Sequence, residues 1–430
     1  MHVVDITWFS YLTFAVVIYY LILFVHPLYK RRRRQRDRFV PGNPFMVLVI
    51  PAHNEEQVIA PTLEALTALD YPDRLIIVMN DGSKDKTSEI ARTFESRGVL
   101  VVDRDEDVAG QGKGAVLNHA FEIIGAMIAA NDPALCGRDA AELVIGIMDA
   151  DGQLEADTLT KVAPYFADPS VGGVQIGVRI ANAPTNMLTR MQDMEFVGFS
   201  ALVQEARDVF GSVGLGGNGQ FTRMTALQSL DRPPWTDCLT EDLELSLSLA
   251  EVGWRIRYCP GTYVAQQGLT HWRPLLRQRT RWFQGHYQCW RHLPSLWRSK
   301  KLPWYTKLDL SIYLVMVTFV MVVFAGLLVS LTVTIANLPV ENNSLVFVTD
   351  PRLRNLIQLT LSFGPLIALV WTYQKHSFHR LALWELPAFA VAFSLYVYLF
   401  VASQFWAWAR MASGRGSWAK TPRVTAESVV

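Results

Sequence analysis

Four long apolar stretches constrain this chain most, because backbone buried in hydrocarbon must satisfy its own hydrogen bonds, as a helix of about 20 residues or a closed barrel. Ile6 to Val25 is the first, twenty residues without a charged side chain. It is too long for a signal peptide and lacks a basic segment before it, so residues 1–28 are expected to hold a spanning helix. Lys30-Arg31-Arg32-Arg33-Arg34-Gln35-Arg36-Asp37-Arg38 follows within the linker 29–44. So dense a basic run at a membrane edge marks the cytoplasmic side and puts the N-terminus outside. Nucleic acid is the other reading of such a run, but beside a spanning segment the expected partner is anionic membrane lipid and no nucleic acid is expected. Leu310 to Ala336, Leu356 to Tyr373 and Leu381 to Trp408 form a C-terminal membrane region, 306–410, ahead of a tail at 411–430. About four transmembrane helices are thus expected. Three C-terminal crossings would put the tail outside, whereas Arg410, Arg415, Lys420 and Arg423 favour the inside. One stretch would then be re-entrant or interfacial, and the sequence leaves open which.

Between these stretches, residues 45–265 alternate buried-looking runs with amphipathic ones. Phe45 to Pro51, Leu75 to Met79, Gly98 to Val102 and Leu143 to Met148 read as strands, with helices over Val58 to Leu69 and Ala115 to Ala129 between them. That βαβα order predicts a mostly parallel, doubly wound α/β sheet. Ligands in such sheets bind at the carboxyl ends of the strands, here His53 to Glu56, Asn80 to Ser83 and Asp149 to Gly152. Asp149 and Asp151 stand one residue apart at the last of these ends. Two carboxylates so close repel by about 4 kcal/mol at ~4 Å, and hard oxygen donors completed by water and phosphate suit Mg²⁺ or Mn²⁺. A net charge of +1 points to no polyionic partner. Cys136, Cys238, Cys259 and Cys289 form no CxxC pair, and buried thiols in a reducing compartment are expected.

Gly110-Gln111-Gly112-Lys113-Gly114 lacks the spacing of a phosphate loop. What remains is a loop whose Lys113 reaches a nucleotide or sugar, or is a solvated surface lysine. Pro184 to Phe210 is expected to be an amphipathic helix with Met187, Leu188, Met191 and Met194 on one face, a core stripe or a membrane-lying one. The glycine run Gly214 to Gly219 would wall the site with backbone. Thr240 is expected to N-cap a helix that begins Glu241-Asp242. From Leu269 to Trp304 five tryptophans alternate with arginines, which predicts amphipathic helices on a bilayer surface over 266–305.

Asp81 in Asn-Asp-Gly-Ser, Asp149-Ala-Asp151, Thr240-Glu-Asp242 and Gln278-Arg-Thr-Arg281-Trp282, in this order, resemble the D, DxD, TED and QxxRW set of family 2 glycosyltransferases. The resemblance, over Phe45 to Trp290, is to the membrane-embedded processive branch: cellulose, hyaluronan, chitin and poly-N-acetylglucosamine synthases. It implies the GT-A fold and an inverting transfer from a UDP-sugar that extends a β-linked polysaccharide, coupled to its export, with a growing glycan as acceptor; transfer of a single sugar to a membrane lipid is the alternative. By resemblance Pro51, His53, Glu55 and Asp81 surround the uridine. Lys113, Asp149, Gln278 and Arg281 complete the nucleotide-sugar site, and Asp149 and Asp151 hold the metal. Asp242, with Glu241 beside it, is the catalytic base, and Trp282 with Gly219 receives the acceptor. Asn80 departs from the second Asp that family members often carry. The helix-start position of Asp242 is expected to keep its pKa low. A polymer product would require a homo-oligomer or a small partner subunit to complete a pore, while the same motifs occur in enzymes that place one sugar on ceramide or diacylglycerol. The implied location is the plasma or inner membrane, multi-pass, with a cytoplasmic catalytic domain. A transporter or sugar-nucleotide sensor is the reading from another class.

Overall fold

The computed structural model describes residues 43–316 except Glu106, residues 366–414, and a few positions at 4–5, 18–19, 318 and 340–341. The basic run, the tail beyond residue 414 and most of the first three apolar stretches lie outside the described residues.

Phe45 to Ile50 are at most 2% exposed, and their alternation feeds two layers. On β1 (Phe45–Ala52), Met46, Leu48 and Ile50 pack on Ile59, Leu63 and Leu66 of α1 (Ile59–Thr67). Phe45, Val47 and Val49 point the other way, onto Val116, Leu117, Ala120 and Ile124 of α3 (Lys113–Ala129); α2 (Thr87–Arg92) follows the strand Arg74–Asn80. A strand covered on both faces must be apolar at every position, which is why these runs do not alternate in hydropathy. Each buried Leu or Ile contributes about 1.5–3 kcal/mol.

The remaining strands are β2 (Arg74–Asn80), β3 (Val99–Asp103), β4 (Leu143–Ile147), β5 (Gln153–Leu154), β6 (Val171–Ile180), β7 (Gln220–Arg223) and β8 (Arg255–Gln266). Their order is β3-β2-β1-β4-β7-β6-β8-β5. β1 to β4 are parallel as expected. The second half is mixed: β7 runs antiparallel to β4 and β6, β6 and β8 are parallel, and β5 is antiparallel to β8. Neither β7 nor β8 is legible in the sequence, since β7 is four residues after the glycine run and β8 holds Pro260-Gly261 at a register shift opposite Ile176 and Gly177.

The expected helix over Pro184 to Phe210 is α4 (Met187–Gly198), which passes through a π turn at Phe199–Gln204 into Glu205–Phe210. An Asn186–Thr189 capping box starts it, and Gly211 at φ +70 ends it. Met191 and Met194 pack in a core with Leu269, Leu275, Val370, Phe389 and Tyr396, so the methionine stripe is a core stripe; Met187 is exposed.

Residues 266–305 do not simply lie on a surface. In α6 (Trp272–Gln288), Trp272 and Arg277 are exposed, but Leu275, Arg279, Gln284, His286 and Tyr287 are buried. One side faces the start of α5 (Glu241–Glu251), the other α7 (Leu386–Ala412). Among the described residues α7 is the one helix long and apolar enough to cross a membrane. It starts five residues later than the apolar stretch, because Glu385 turns back to accept from the Ala382 N–H at 2.7 Å.

Candidate active site

Asp149 and Asp151 follow β4 on a turn closed by Gly152 N–H to Asp149 O, 2.8 Å. Gly152 is required there: a Cβ would lie 3.0 Å from both Asn218 Oδ1 and Asp149 O. Asn218 holds the turn from the glycine run, accepting from the Asp149 N–H at 3.2 Å and donating to Gln266 at 2.8 Å. Asp151 is buried and accepts from the Gln267 N–H at 3.2 Å.

Lys113 is the first residue of α3 and no surface lysine. Its Nζ lies 2.6 Å from Asp149 Oδ1 and donates to Gly217 O at 2.9 Å. Burial alone would lower its pKa, but Asp149, Glu241 and Asp242 hold it above the ordinary value. A Cβ on Gly217 would sit 2.7 Å from Asp242 Oδ2 and 3.5 Å from Lys113 Nζ, so the ammonium and the Asp242 carboxylate are within about 6 Å of each other. Glu241 is pushed up to about 7, by burial first and then by Asp242, with Lys113 and Arg281 opposing. Burial also raises Asp242 above the usual carboxylate range. This corrects the expectation from its helix-start position: the Leu243 N–H donates to Asp242 Oδ1 at 2.7 Å, but desolvation outweighs it.

A second expectation is corrected beside it. Thr240 makes no side-chain cap; its hydroxyl lies 3.7 Å from the sulfurs of Cys238 and Cys289. The reason is the close approach of α6, where a Cβ on Gly285 would lie 2.5 Å from Thr240 N. Leu239 N–H donates to Gln288 Oε1 at 2.9 Å, and α3 grips the same loop through Asn118 and Trp235.

On α6, Gln278 Oε1 accepts from Arg279 at 3.2 Å, and half-buried Trp282 meets Phe196 edge-on, ring centres 6.3 Å apart. Arg279 and Trp282 share a helix face, and the guanidinium carbon stands 4.1 Å from the Trp282 ring centre. Glu195 binds Arg279 at 2.7 Å and accepts from the Tyr396 hydroxyl of α7 at 2.5 Å. Gly219 does not line the cleft. Its N–H goes to Ile147 O, its carbonyl accepts from Ile176 N–H and Gln175, and a Cβ would strike Ile176 at 2.7 Å. Gly217, beside Asp242 and Lys113, is the member of the run that faces the site.

His53, Glu55 and Asp81 form a separate group at the ends of β1 and β2, with Pro51 in the last turn of β1. His53 Nδ1 lies 2.6 Å from Asp81 O; a carbonyl only accepts, so Nδ1 carries the proton and Nε2 accepts from Asn54 at 3.1 Å. Glu55 N–H donates to Thr87 Oγ1 at 2.7 Å. Buried Asp81 pairs with buried Arg104 and accepts from the Gly110 N–H at 3.2 Å. Asn80 donates to Asp103 at 2.7 Å. The loop from Gly110 to Lys113 therefore connects this group to the Asp149, Glu241 and Asp242 cluster. Sequence reasoning misses Arg104, Asn218, Gln175 and Gln267, which carry no local pattern and act through fold-brought contacts.

Among the described residues no three His, Cys, Asp or Glu side chains gather as a closed metal cage. Asp149 and Asp151 are two hard oxygen donors at an edge, a set that fits an ion whose other ligands come from diphosphate and water.

The fold is shared with the mannosyltransferase PcManGT from Pyrobaculum calidifontis, solved in complex with GDP-Man and Mn²⁺: TM-score 0.57, 16% identity, 90% of this chain and 98% of that one. Among curated relatives, a β-monoglucosyldiacylglycerol synthase of Synechocystis sp. is 34% identical over 282 residues, 64% of this chain and 54% of the relative. A poly-β-1,6-N-acetyl-D-glucosamine synthase of Staphylococcus aureus is 28% identical over 290 residues, 65% of this chain and 64% of the relative. The chain thus spans between half and two thirds of the length of these relatives. Its residues 42–285, more than half of the sequence, match the family model described as glycosyltransferase-like family 2, and the protein belongs to that family.

Proposed function

We propose that this chain is a membrane-bound, inverting glycosyltransferase that moves the sugar of a UDP-sugar onto a hydroxyl at the bilayer surface. The observation that carries the reading is the convergence of Asp149, Lys113, Glu241 and Asp242 where α6 is pressed onto the start of α5. Residues 45–265 form the catalytic domain on the cytoplasmic side, with α6 as its membrane-facing border.

Pro51, His53, Glu55 and Asp81 take the uridine; Arg104 fixes the Asp81 carboxylate toward it. Asp149 and Asp151 would hold Mg²⁺ or Mn²⁺, which would supply charge neutralisation for a departing diphosphate. Lys113 pairs with Asp149 at 2.6 Å, and Gln278 and Arg281 approach the diphosphate from α6. Asp242 accepts the proton of the acceptor hydroxyl as that oxygen bonds to the anomeric carbon, and the bond to UDP breaks with its electron pair on the phosphate oxygen. A raised pKa suits that task, since a base nearer neutrality removes a hydroxyl proton more readily. Trp282 stacks the acceptor, its ring steadied by Arg279 and Phe196.

A lipid hydroxyl, such as that of a diacylglycerol, is the acceptor we place first. Trp282 borders the apolar helix α7 through Arg279, Glu195 and Tyr396, where a lipid headgroup has the shortest path, and the 34% identical relative is named for such a product. Extension of a β-linked polysaccharide is the second reading, favoured by the 28% identical relative and requiring a pore completed by a second copy or a small subunit. Purified protein in vesicles with dioleoylglycerol and each radiolabelled UDP-sugar separates them. Label in one organic-extractable glycolipid supports the first reading, a high-molecular-weight ladder the second, and no transfer with either refutes both.

A further inference from the structure

The placement of α7 conflicts with its composition. A 27-residue helix this apolar is long enough to span a bilayer, yet α7 is packed on α4 and α6 along nearly its whole length. Just ahead of it, Phe378 packs on Tyr263, and Ser377 donates to Asp193 at 3.4 Å. Phe389 lies under Arg190, Tyr396 bonds Glu195, and Ser403 reaches Leu276 O at 3.5 Å. Tyr287 donates to Gln404 at 3.3 Å and Arg410 to Gln284 at 3.1 Å. From Phe389 to Arg410 is about 31 Å of helix. That is the thickness of the hydrocarbon core, so a helix crossing it could not keep both ends on a domain that stays on one side.

The two faces of α7 explain how an apolar helix reaches this position. Phe389, Tyr396, Ser403 and Ala407 are buried against the domain. Val391, Leu395, Phe405 and Trp406 are 55–65% exposed on the opposite stripe, and Leu383 and Trp384 in the preceding turn are about 80% exposed. So long an apolar face requires a covering partner.

We propose that α7 lies in the plane of the membrane, with its Val391, Leu395, Phe405 and Trp406 face in the boundary between headgroups and acyl chains, and that it does not cross. The partner is the lipid surface itself. Trp272 and Trp297, both more than half exposed, add apolar surface of the kind that enters a bilayer interface. Sidedness agrees. Val4–Asp5 pairs with Val340–Glu341, which brings the N-terminus beside the connection between the second and third apolar stretches. Were the N-terminus outside, as the basic run predicts, and the apolar stretches 6–25, 310–336 and 356–373 each to cross as their composition predicts, the chain would return to the cytoplasmic side without a crossing by α7. The C-terminus would then be cytoplasmic, where Arg410, Arg415, Lys420 and Arg423 favour it. This inference rests on packing and holds whichever sugar or acceptor the enzyme uses.

The test is a depth profile. Single spin labels replace Val391, Leu395, Ala402 and Phe405, one per variant of the full chain, with Cys136, Cys238, Cys259 and Cys289 changed to Ser. The protein is placed in vesicles of phosphatidylethanolamine and phosphatidylglycerol, and oxygen and nickel-chelate relaxation are compared. An in-plane helix gives four similar shallow depths, about 5–10 Å below the headgroups. A profile that passes through the bilayer centre refutes the proposal, as does lack of lipid contact at all four labels, the result of a second copy covering the face. If the cysteine replacements prevent folding, a C-terminal epitope on the wild-type chain decides. In sealed inside-out vesicles it is accessible together with the UDP-sugar site if α7 lies in plane; an epitope on the opposite side overturns the proposal.

Discussion

Removal of the Lys113 ammonium gives the sharpest electrostatic test of the site. In Lys113→Met the carboxylates of Asp149, Glu241 and Asp242 lose the cation they surround. Lys113 Nζ is within about 6 Å of Asp242 Oδ2. At that distance and an effective dielectric of 20, two unit charges interact by about 3 kcal/mol, and water entering the cleft reduces this to about half. One pH unit corresponds to about 1.4 kcal/mol, so the proton affinity of the pair formed by Asp242 and Glu241 is expected to rise by about one unit. The sign follows from the role: a base acts in its ionised form, so transfer rises with pH through the apparent pKa. That limb should lie above the usual carboxylate range, where burial holds Asp242, and move alkaline by about one unit in Lys113→Met. The assay is the pH dependence of kcat for UDP release with dioleoylglycerol as acceptor. Loss of rate with an unmoved limb would show that Lys113 serves the nucleotide and not the carboxylates, and would refute the electrostatic argument.

Three further outcomes follow from particular contacts. Glu241 has a folded pKa raised above its unfolded value, so its ionisation destabilises the fold as pH rises from about 4.5 to about 7; Glu241→Gln should raise Tm at pH 8 by about 2–4 °C and leave it unchanged at pH 4, measured calorimetrically. At the far end of α5, His292 is held at about 9, against its burial, by Glu244 and Glu251, and Glu244 at about 2 by His292, Thr236 and Arg291. The His292 contribution is complete below about 6.5 and lost as pH rises through about 9, and that of Glu244 is complete above about 4.5 and lost as pH falls through about 2; His292→Ala should therefore cost about 1–3 kcal/mol at pH 6 and little at pH 10 by urea unfolding. Gly285→Ala puts a methyl 2.5 Å from Thr240 N, so it should force α6 off the start of α5, cost about 1–3 kcal/mol and lower transfer more than UDP binding, read by UDP release and UDP titration.

The half of the fold that was legible in the sequence is the half whose strands are buried on both faces. Phe45 to Ile50, Leu75 to Met79 and Leu143 to Ile147 must be apolar throughout, and their ends carry His53, Asp81 and Asp149. β7 and β8 were hidden because Pro260-Gly261 and the glycine run break the pattern that would reveal them. Around the site, residue types that are costly to bury were visible in advance: Asp151, Lys113, Glu241 and Asp242. Their environment was not. Helix position alone argued for a low Asp242 pKa and a Thr240 cap, and the approach of α6 at Gly285, which reverses the second, has no signature in sequence. Arg104 and Asn218 gain their places only through contacts distant in the chain.

The central claim is that Asp242 takes the acceptor proton in a metal-assisted transfer from a UDP-sugar. Its most direct measurement compares wild type with Asp242→Asn for two quantities in one preparation: the Kd for UDP with Mn²⁺, and the rate of radiolabel transfer to dioleoylglycerol. The amide keeps the shape of the side chain and removes its basicity. The account predicts a Kd within about twofold of wild type and transfer reduced by about 10² or more. Transfer at the wild-type rate, or UDP affinity lost in proportion to it, would contradict the assignment of Asp242 as the base.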